Sequence, residues 1–133
     1  MADVNITPAN VAMTANSTPE SVKLGETLAA GDPVYQASDG MVYGADNSTK
    51  ANANVRGILV TGGVAGVKAT LAKGELDVGS VLTANEVYVV SATSKKIAPS
   101  SDLATNDWVT IVGIAKSTSL LQIDPNPQNY QAP

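Results

Sequence analysis

The acidic side chains are the first residues in this sequence that could do chemistry, because paired carboxylates can act as acid and base or bind a hard cation. Asp39, Asp46 and Asn47 flank one predicted hairpin, and Glu75 with Asp77 precedes another. Neither spacing matches a calcium loop, which needs several oxygen ligands at alternating positions and a closing glutamate. We therefore assign these residues to turn formation and solubility.

The chain contains no histidine and no cysteine. These absences exclude serine–histidine and cysteine–histidine catalysis, histidine–zinc sites and disulfide bonds. An enzyme built from this sequence would have to work with carboxylates alone. We therefore predict a protein that is not an enzyme and that has no cofactor, no metal and no catalytic residues.

Glycine-rich residues 61–66 resemble a phosphate-binding loop only superficially. They lack the Lys-Ser/Thr pair of a P-loop and the helix that would follow it, so a turn between two strands is the simpler interpretation. Gly57 and Gly113 lie inside predicted strands, where glycine usually marks a bulge, a bend or the close approach of another backbone.

The net charge is −4, and Lys95-Lys96 is the only pair of adjacent basic residues. A phosphate backbone would repel such a surface, so we predict no nucleic-acid partner. No apolar run approaches the roughly 20 residues that cross a bilayer, and no secretory signal is visible at the start. We expect no membrane partner, and synthesis in a cytoplasm.

Two stretches carry a similar pattern, which predicts one short β-unit used twice, over residues 24–61 and 76–123. Asp39-Gly40 favours a tight hairpin between strands near 32–36 and 41–43. Lys73-Gly74 is expected to end a strand, and residues 100–105 form at most one helical turn. Short strands punctuated by turn residues predict an all-β fold, a small β-sandwich or β-barrel, over residues 23–123.

Both ends of the chain are predicted to be extended arms. Residues 1–22 are rich in polar residues and lack periodicity, and residues 124–133 contain three prolines. Such segments contribute little to a core, so we expect contacts with another chain to order them, and we expect their deletion to leave the isolated domain folded.

The few aromatic residues invite two interpretations. Tyr35 and Tyr88 occupy the same place in the patterns of the two β-units and are expected in or near the core. Trp108, beside a polar turn, is expected either in the core or at an interface.

The pattern as a whole resembles small decoration or cement proteins of tailed bacteriophage capsids. The resemblance covers about residues 24–123 and is carried by residues 31–35, 40–46, 57–58, 87–88 and 112–115. The second copy has Asn85-Glu86 in place of Gly31-Asp32, which leaves open whether the two turns share one geometry.

The resemblance implies a homotrimeric virion protein that binds the major capsid protein on the outer capsid surface and clamps neighbouring subunits. The alternative is a short head-fibre or adhesive module that binds host carbohydrate. The candidates for contact with a partner are Val4, Ile6, Val11, Trp108, Pro125, Pro127 and Tyr130.

Overall fold

The computed structural model describes residues 3–133. Strand accounts for 49% of the chain and helix for 5%, which confirms the predicted all-β class. The helical segments in the described residues are two single 3-10 turns, Pro8–Asn10 and Ser100–Asp102. The strands are β1 (Ala12–Lys23), β2 (Pro33–Gln36), β3 (Val42–Gly44), β4 (Val55–Leu59), β5 (Lys68–Asp77), β6 (Val87–Val90), β7 (Ile97–Pro99), β8 (Trp108–Ala115) and β9 (Leu120–Gln131).

The sheet uses one four-stranded arrangement twice. Its strand order is β3-β2-β4-β5-β9-β8-β6-β7, with β1 paired to β5. The first copy (β2 to β5) and the second copy (β6 to β9) therefore have the same order of neighbours. They join through β5 and β9, and the curled antiparallel sheet forms a half-barrel. The duplication is confirmed, but β5 and the second half of β9 extend the copies beyond the predicted units.

A β-bulge marks the same place in both copies. In the first copy Val34 lies opposite Gly57, and the next residue, Tyr35, lies opposite Val55. Arg56 is therefore the extra residue of this bulge. The bulge bends β4 and increases its twist, which helps the sheet to curl.

The second copy repeats this bulge with different side chains. Tyr88 lies opposite Gly113, and Val112 is the extra residue of β8. Tyr88 therefore corresponds to Val34 and not to Tyr35, so the predicted match of the two tyrosines is wrong by one residue. Tyr88 is buried in the core. Tyr35 is partly buried and packs against the same core, so both lie where they were expected.

The two matched glycines allow a close approach of neighbouring backbone. A Cβ on Gly57 would lie 2.8 Å from the carbonyl oxygen of Ala72. A Cβ on Gly113 would overlap the carbonyl oxygen of Gln122, which occupies the corresponding place in the second copy. The prediction that these glycines mark bulges and close backbone contacts is confirmed.

The core consists of a large cluster shared by both copies and a smaller one in the first copy. The large cluster includes Ile58 from β4, Leu76 from β5, Val112 from β8 and Leu121 from β9. The smaller cluster contains Leu24, Leu28, Val34, Val42, Leu59, Ala69 and Leu71. The copies have thus diverged in how they pack while keeping their strand order.

The N-terminal segment corrects the prediction of an arm outside the domain. Val4 is buried in the large cluster, and its N–H donates to the carbonyl oxygen of Ile97 at 2.9 Å. Ile6 and Val11 pack against the same cluster. β1 then pairs antiparallel with β5 over most of its length. Contacts within the chain therefore order this segment, and residues 1 and 2 of the predicted arm lie outside the described residues.

The prediction missed this segment because its order comes from backbone pairing. No residue of β1 is buried, so the strand leaves no apolar alternation in the sequence. The three apolar residues that reach the core are separated by polar ones and by a 3-10 turn. Neither pattern registers as periodic hydrophobicity.

The proline-rich C-terminal segment is also a paired strand. It forms the second half of β9, in which Pro127 lies opposite Thr110 and Gln131 lies opposite Trp108. The first half of β9 has β5 on its other side, but the second half has no second strand partner among the described residues. Proline is accepted there because an edge position does not need every N–H.

Candidate functional site

The residues predicted to contact a partner lie in three separate places. Val4, Ile6 and Val11 lie in the part of the N-terminal segment that packs against the large cluster. Trp108 and Tyr130 lie at the end of the paired strands β8 and β9. Pro125 and Pro127 line a cleft beside β4. The structure therefore does not assemble them into one site.

Trp108 and Tyr130 do not form an aromatic platform. Trp108 is half-buried at the start of β8, and its N–H donates to the carbonyl oxygen of Asn47 at 3.1 Å. Tyr130 is 52% exposed near the end of β9. The aromatic ring pair within residues 3–133 is Tyr35 with Tyr43, whose centroids are 6.0 Å apart.

Most of the acidic residues serve turns, as predicted. The Asp39 carboxylate accepts hydrogen bonds from the Tyr43 hydroxyl and from the Met41 N–H, and these bonds hold its pKa below the ordinary value. Asp77 accepts from the Gly79 N–H at 2.9 Å. No group of three or more residues suited to holding a metal ion occurs in the part of the chain that the structure describes.

Glu75 is the exception, because it is a buried ion-pair partner rather than a surface turn residue. Its carboxylate binds Lys116, and its carbonyl oxygen accepts a hydrogen bond from the Ser17 hydroxyl. The Lys116 hydrogen bond is the main cause of a lowered Glu75 pKa, and the Thr14 side chain contributes. Glu75 therefore ties the β1 bulge to β5 and to the β8–β9 turn.

The glycine-rich residues 61–66 form the start of the connection between β4 and β5, as the turn interpretation predicted. A Cβ on Gly62 would overlap the backbone of Leu28 and Ala29. The glycine is thus needed for packing against the preceding loop. Leu28 and Gly63 exchange two backbone hydrogen bonds at this contact.

The most distinctive concave surface is a cleft beside the point along β5 at which its strand partner changes from β4 to β9. Along β5, Ala72 pairs with β4 and Gly74 pairs with β9, so Lys73 lies between the two pairings. β5 does not end at Lys73-Gly74 as predicted, because Gly74 adopts a left-handed conformation (φ 71°) that continues the strand past the β1 bulge.

We call this surface the junction cleft. Its volume is ≈ 440 Å³. Its lining residues come from the end of β2 and the turn after it, from β4 and the loop before it, from β5 and from β9. They are Gln36, Ala37, Asn54, Val55, Arg56, Lys73, Asp124, Pro125 and Pro127.

Arg56 is the central charged residue of the junction cleft. One terminal guanidinium nitrogen, Nη2, donates to the Glu20 carboxylate on β1. Its Nε is buried and has no hydrogen-bond partner among the described residues. The hydrogen bond from Arg56 lowers the pKa of Glu20, and the charges of Arg56 and Lys73 lower it further. Partial burial of Glu20 acts in the opposite direction.

Pro125 and Pro127 were among the residues predicted to contact a partner, but the polar residues of this cleft were not. Gln36, Arg56, Lys73 and Asp124 are far apart in the chain and belong to no motif. One signal was present, because aligning the two copies on Gly57 and Gly113 places Arg56 where the second copy has a valine. A charged residue at a position that the fold fills with valine deserves a functional explanation.

Comparison of the sequence with models of protein families and with curated proteins finds no match. Among residues 3–133, no helix has the length and apolarity needed to cross a membrane.

Proposed function

We propose that this protein is a structural virion protein that binds the outer surface of a tailed-phage capsid and stabilises it by clamping neighbouring capsid subunits. The proposal starts from the resemblance carried by the two β-units. It involves no catalysis.

The observation that carries the proposal is the exposed, twelve-residue edge strand β1. Its one strand partner among the described residues is β5, so its outer edge is open along its whole length. An open edge can accept a strand from another chain, with backbone hydrogen bonds providing affinity. Because Glu75 and its partners fix the bulge of β1, this edge is a preformed docking strand.

The same edge supports the proposal of a homotrimer. A long open edge is a liability in a monomer, and pairing with a neighbouring copy or with the capsid would cover it. Multi-angle light scattering of the purified protein tests this directly. A monomer mass at every concentration would contradict a trimer formed before capsid binding.

Co-sedimentation with undecorated capsids of the phage that encodes the chain tests the function. Met13 lies on β1 and is 48% exposed, whereas Val64 lies in the β4–β5 connection and is 61% exposed. Met13→Lys is expected to weaken capsid binding by about tenfold, or roughly 1.4 kcal/mol, and Val64→Lys is the matched control. Failure of the unmodified protein to sediment with capsids would overturn the proposal.

A head-fibre or adhesive module that binds host carbohydrate is the second candidate. The exposed ring of Tyr130 favours it, because sugars stack on aromatic faces. Against it, no aromatic residue lines the junction cleft. Binding to a panel of host-surface glycans that is lost in Tyr130→Ala, with no binding to capsids, would establish this alternative.

A further inference from the structure

We infer that the junction cleft binds an acidic side chain carried by an extended peptide, with Arg56 and Lys73 as the groups that bind its carboxylate. This inference goes beyond the proposed function and does not depend on it. It assigns a ligand chemistry to the cleft whichever assembly supplies the peptide.

Arg56 has donors that this chain does not use. Its Nη2 is bound to Glu20, its Nη1 forms no hydrogen bond among the described residues, and its Nε–H is buried without an acceptor. Buried hydrogen-bond donors in native proteins nearly always have partners, so an unpaired one calls for an explanation. A guanidinium offers two parallel N–H groups to a carboxylate, and such charge-assisted pairs are among the strongest in proteins.

The fold does not require an arginine at this position. Arg56 is the extra residue of the β4 bulge, and the corresponding residue of β8 is Val112, which is fully buried. The same bulge therefore forms with an apolar residue. The charge at Arg56 is therefore specific to the first copy.

Lys73 supplies a second cation at the base of the cleft. It is exposed and forms no ion pair within residues 3–133. By contrast, Lys95 and Lys116 pair with Glu26 and Glu75. The cleft thus holds Arg56, which pairs with Glu20, and Lys73, whose charge acts on Glu20 but which forms no salt bridge among the described residues.

The remaining walls favour a peptide over a simple anion. Asp124 lines the same cleft and repels an ion that offers only negative charge. A peptide brings a side-chain carboxylate together with backbone N–H groups, and these N–H groups can donate hydrogen bonds to the Asp124 carboxylate. Gln36 and Asn54 add amides that can pair with a peptide backbone.

The strands that form the walls suit an extended ligand. Val55 in β4 pairs with β2 on one side, and residues 126–127 of β9 pair with β8 on one side. Neither has a second strand partner within the described residues. An extended peptide can therefore lie along these edges, with Pro125 and Pro127 as apolar walls.

Fluorescence anisotropy with labelled octapeptides tests this inference. One probe alternates threonine and glutamate, and the matched probe replaces each glutamate with glutamine. The glutamate probe is expected to bind saturably and at least about tenfold more tightly, because the carboxylate supplies the charge-assisted hydrogen bonds. Backbone amide shifts in NMR spectra should change around Asn54, Lys73 and Asp124.

Variants identify the groups responsible. Lys73→Gln is expected to weaken binding of the glutamate probe by about fivefold or more. Arg56→Lys should do the same, because it keeps the charge near Glu20 but removes the fork of donors. Lys50→Gln is the matched control, since Lys50 is an exposed lysine outside the cleft. Thermal unfolding verifies that each variant is folded. If Arg56→Lys does not fold, the comparison of Lys73→Gln with Lys50→Gln decides the test.

Three results would overturn the inference. The first is equal affinity for the two probes. The second is an equal loss in Lys50→Gln and Lys73→Gln, which would indicate general electrostatic attraction. The third is that an oligogalacturonate, used as a probe for acidic sugars, binds the cleft more tightly than the glutamate peptide.

Discussion

Gly31 and Asn85 occupy equivalent turns in the two copies and both have a left-handed backbone, with φ values of 94° and 68°. The N–H of Gly31 donates to Leu59, and the N–H of Asn85 donates to Ala115, each at 2.8 Å. The two turns thus share one geometry, which the sequence had left open. Asparagine can replace glycine here because it is one of the few other residues that tolerate this conformation.

The environment of the two turns predicts different responses to substitution. Asn85 is exposed, so Asn85→Gly should leave the free energy of unfolding almost unchanged, while Asn85→Ala should lower it by about 1 kcal/mol. At the other turn, a Cβ on Gly31 would lie 2.6 Å from Ile6 Cγ2. Gly31→Asn should therefore destabilise the protein, although asparagine is native at position 85.

Urea unfolding of the three variants verifies this pair of expectations. Equal stability of Gly31→Asn and the unmodified protein would show that the N-terminal segment does not cover Gly31. A large loss in Asn85→Gly would contradict the shared turn geometry.

The close backbone contact at Gly113 predicts a strong effect of a single methyl group. Gly113→Ala should destabilise the protein by about 1–3 kcal/mol, because the new Cβ collides with the carbonyl of Gln122 rather than with a movable side chain. Gly63→Ala is the matched control, since a Cβ there would make only ordinary contacts with Val67. A difference in urea midpoint between the two variants measures the effect, and equal midpoints would contradict it.

The sequence predicted the parts of the fold that depend on local chemistry. The Asp39-Gly40 turn is present, with Gly40 at φ 84°, and the all-β class follows from the spacing of strands and turns. The match of Tyr35 with Tyr88 was wrong because a register depends on pairing across strands, and similar side chains one residue apart cannot reveal it.

The junction cleft could not be predicted for a related reason. Its charged residues lie close together only because β4 pairs with β5 as far as Ala72 and β9 pairs with β5 from Gly74 onwards. That pairing joins strands that are far apart in the sequence, so no local pattern predicts it. The pairing of β1 with β5 was likewise invisible, since it consists of backbone hydrogen bonds between strands more than forty residues apart in sequence.

The buried N-terminal segment reverses the expectation that the domain would tolerate its loss. Val4→Ala should lower the free energy of unfolding by about 1–3 kcal/mol, because Val4 is 7% exposed in the large cluster. Val64→Ala, at a 61% exposed position, should change it by less than about 0.5 kcal/mol. Deletion of residues 1–23 should abolish cooperative thermal unfolding, since it also removes β1, which pairs with β5 along one whole edge. A cooperative transition in that deletion variant would restore the view of residues 1–22 as a dispensable arm.

The Glu75–Lys116 ion pair predicts a loss of stability in acid. Because the hydrogen bond from Lys116 lowers the pKa of Glu75 from its ordinary value of 4.5, the folded state binds this proton less readily than the unfolded state. The contribution of Glu75 is therefore fully present above the unfolded pKa and is lost as pH falls through the lower folded pKa. Urea unfolding from about pH 7 to about pH 3 should show a steeper decline below pH 4.5 for the unmodified protein than for Glu75→Gln, which lacks the titrating group.

Glu86→Gln, which removes a carboxylate that forms no ion pair within residues 3–133, should retain the steep decline. Parallel pH profiles for the unmodified protein and Glu75→Gln would show that this ion pair does not contribute to the acid sensitivity of the fold.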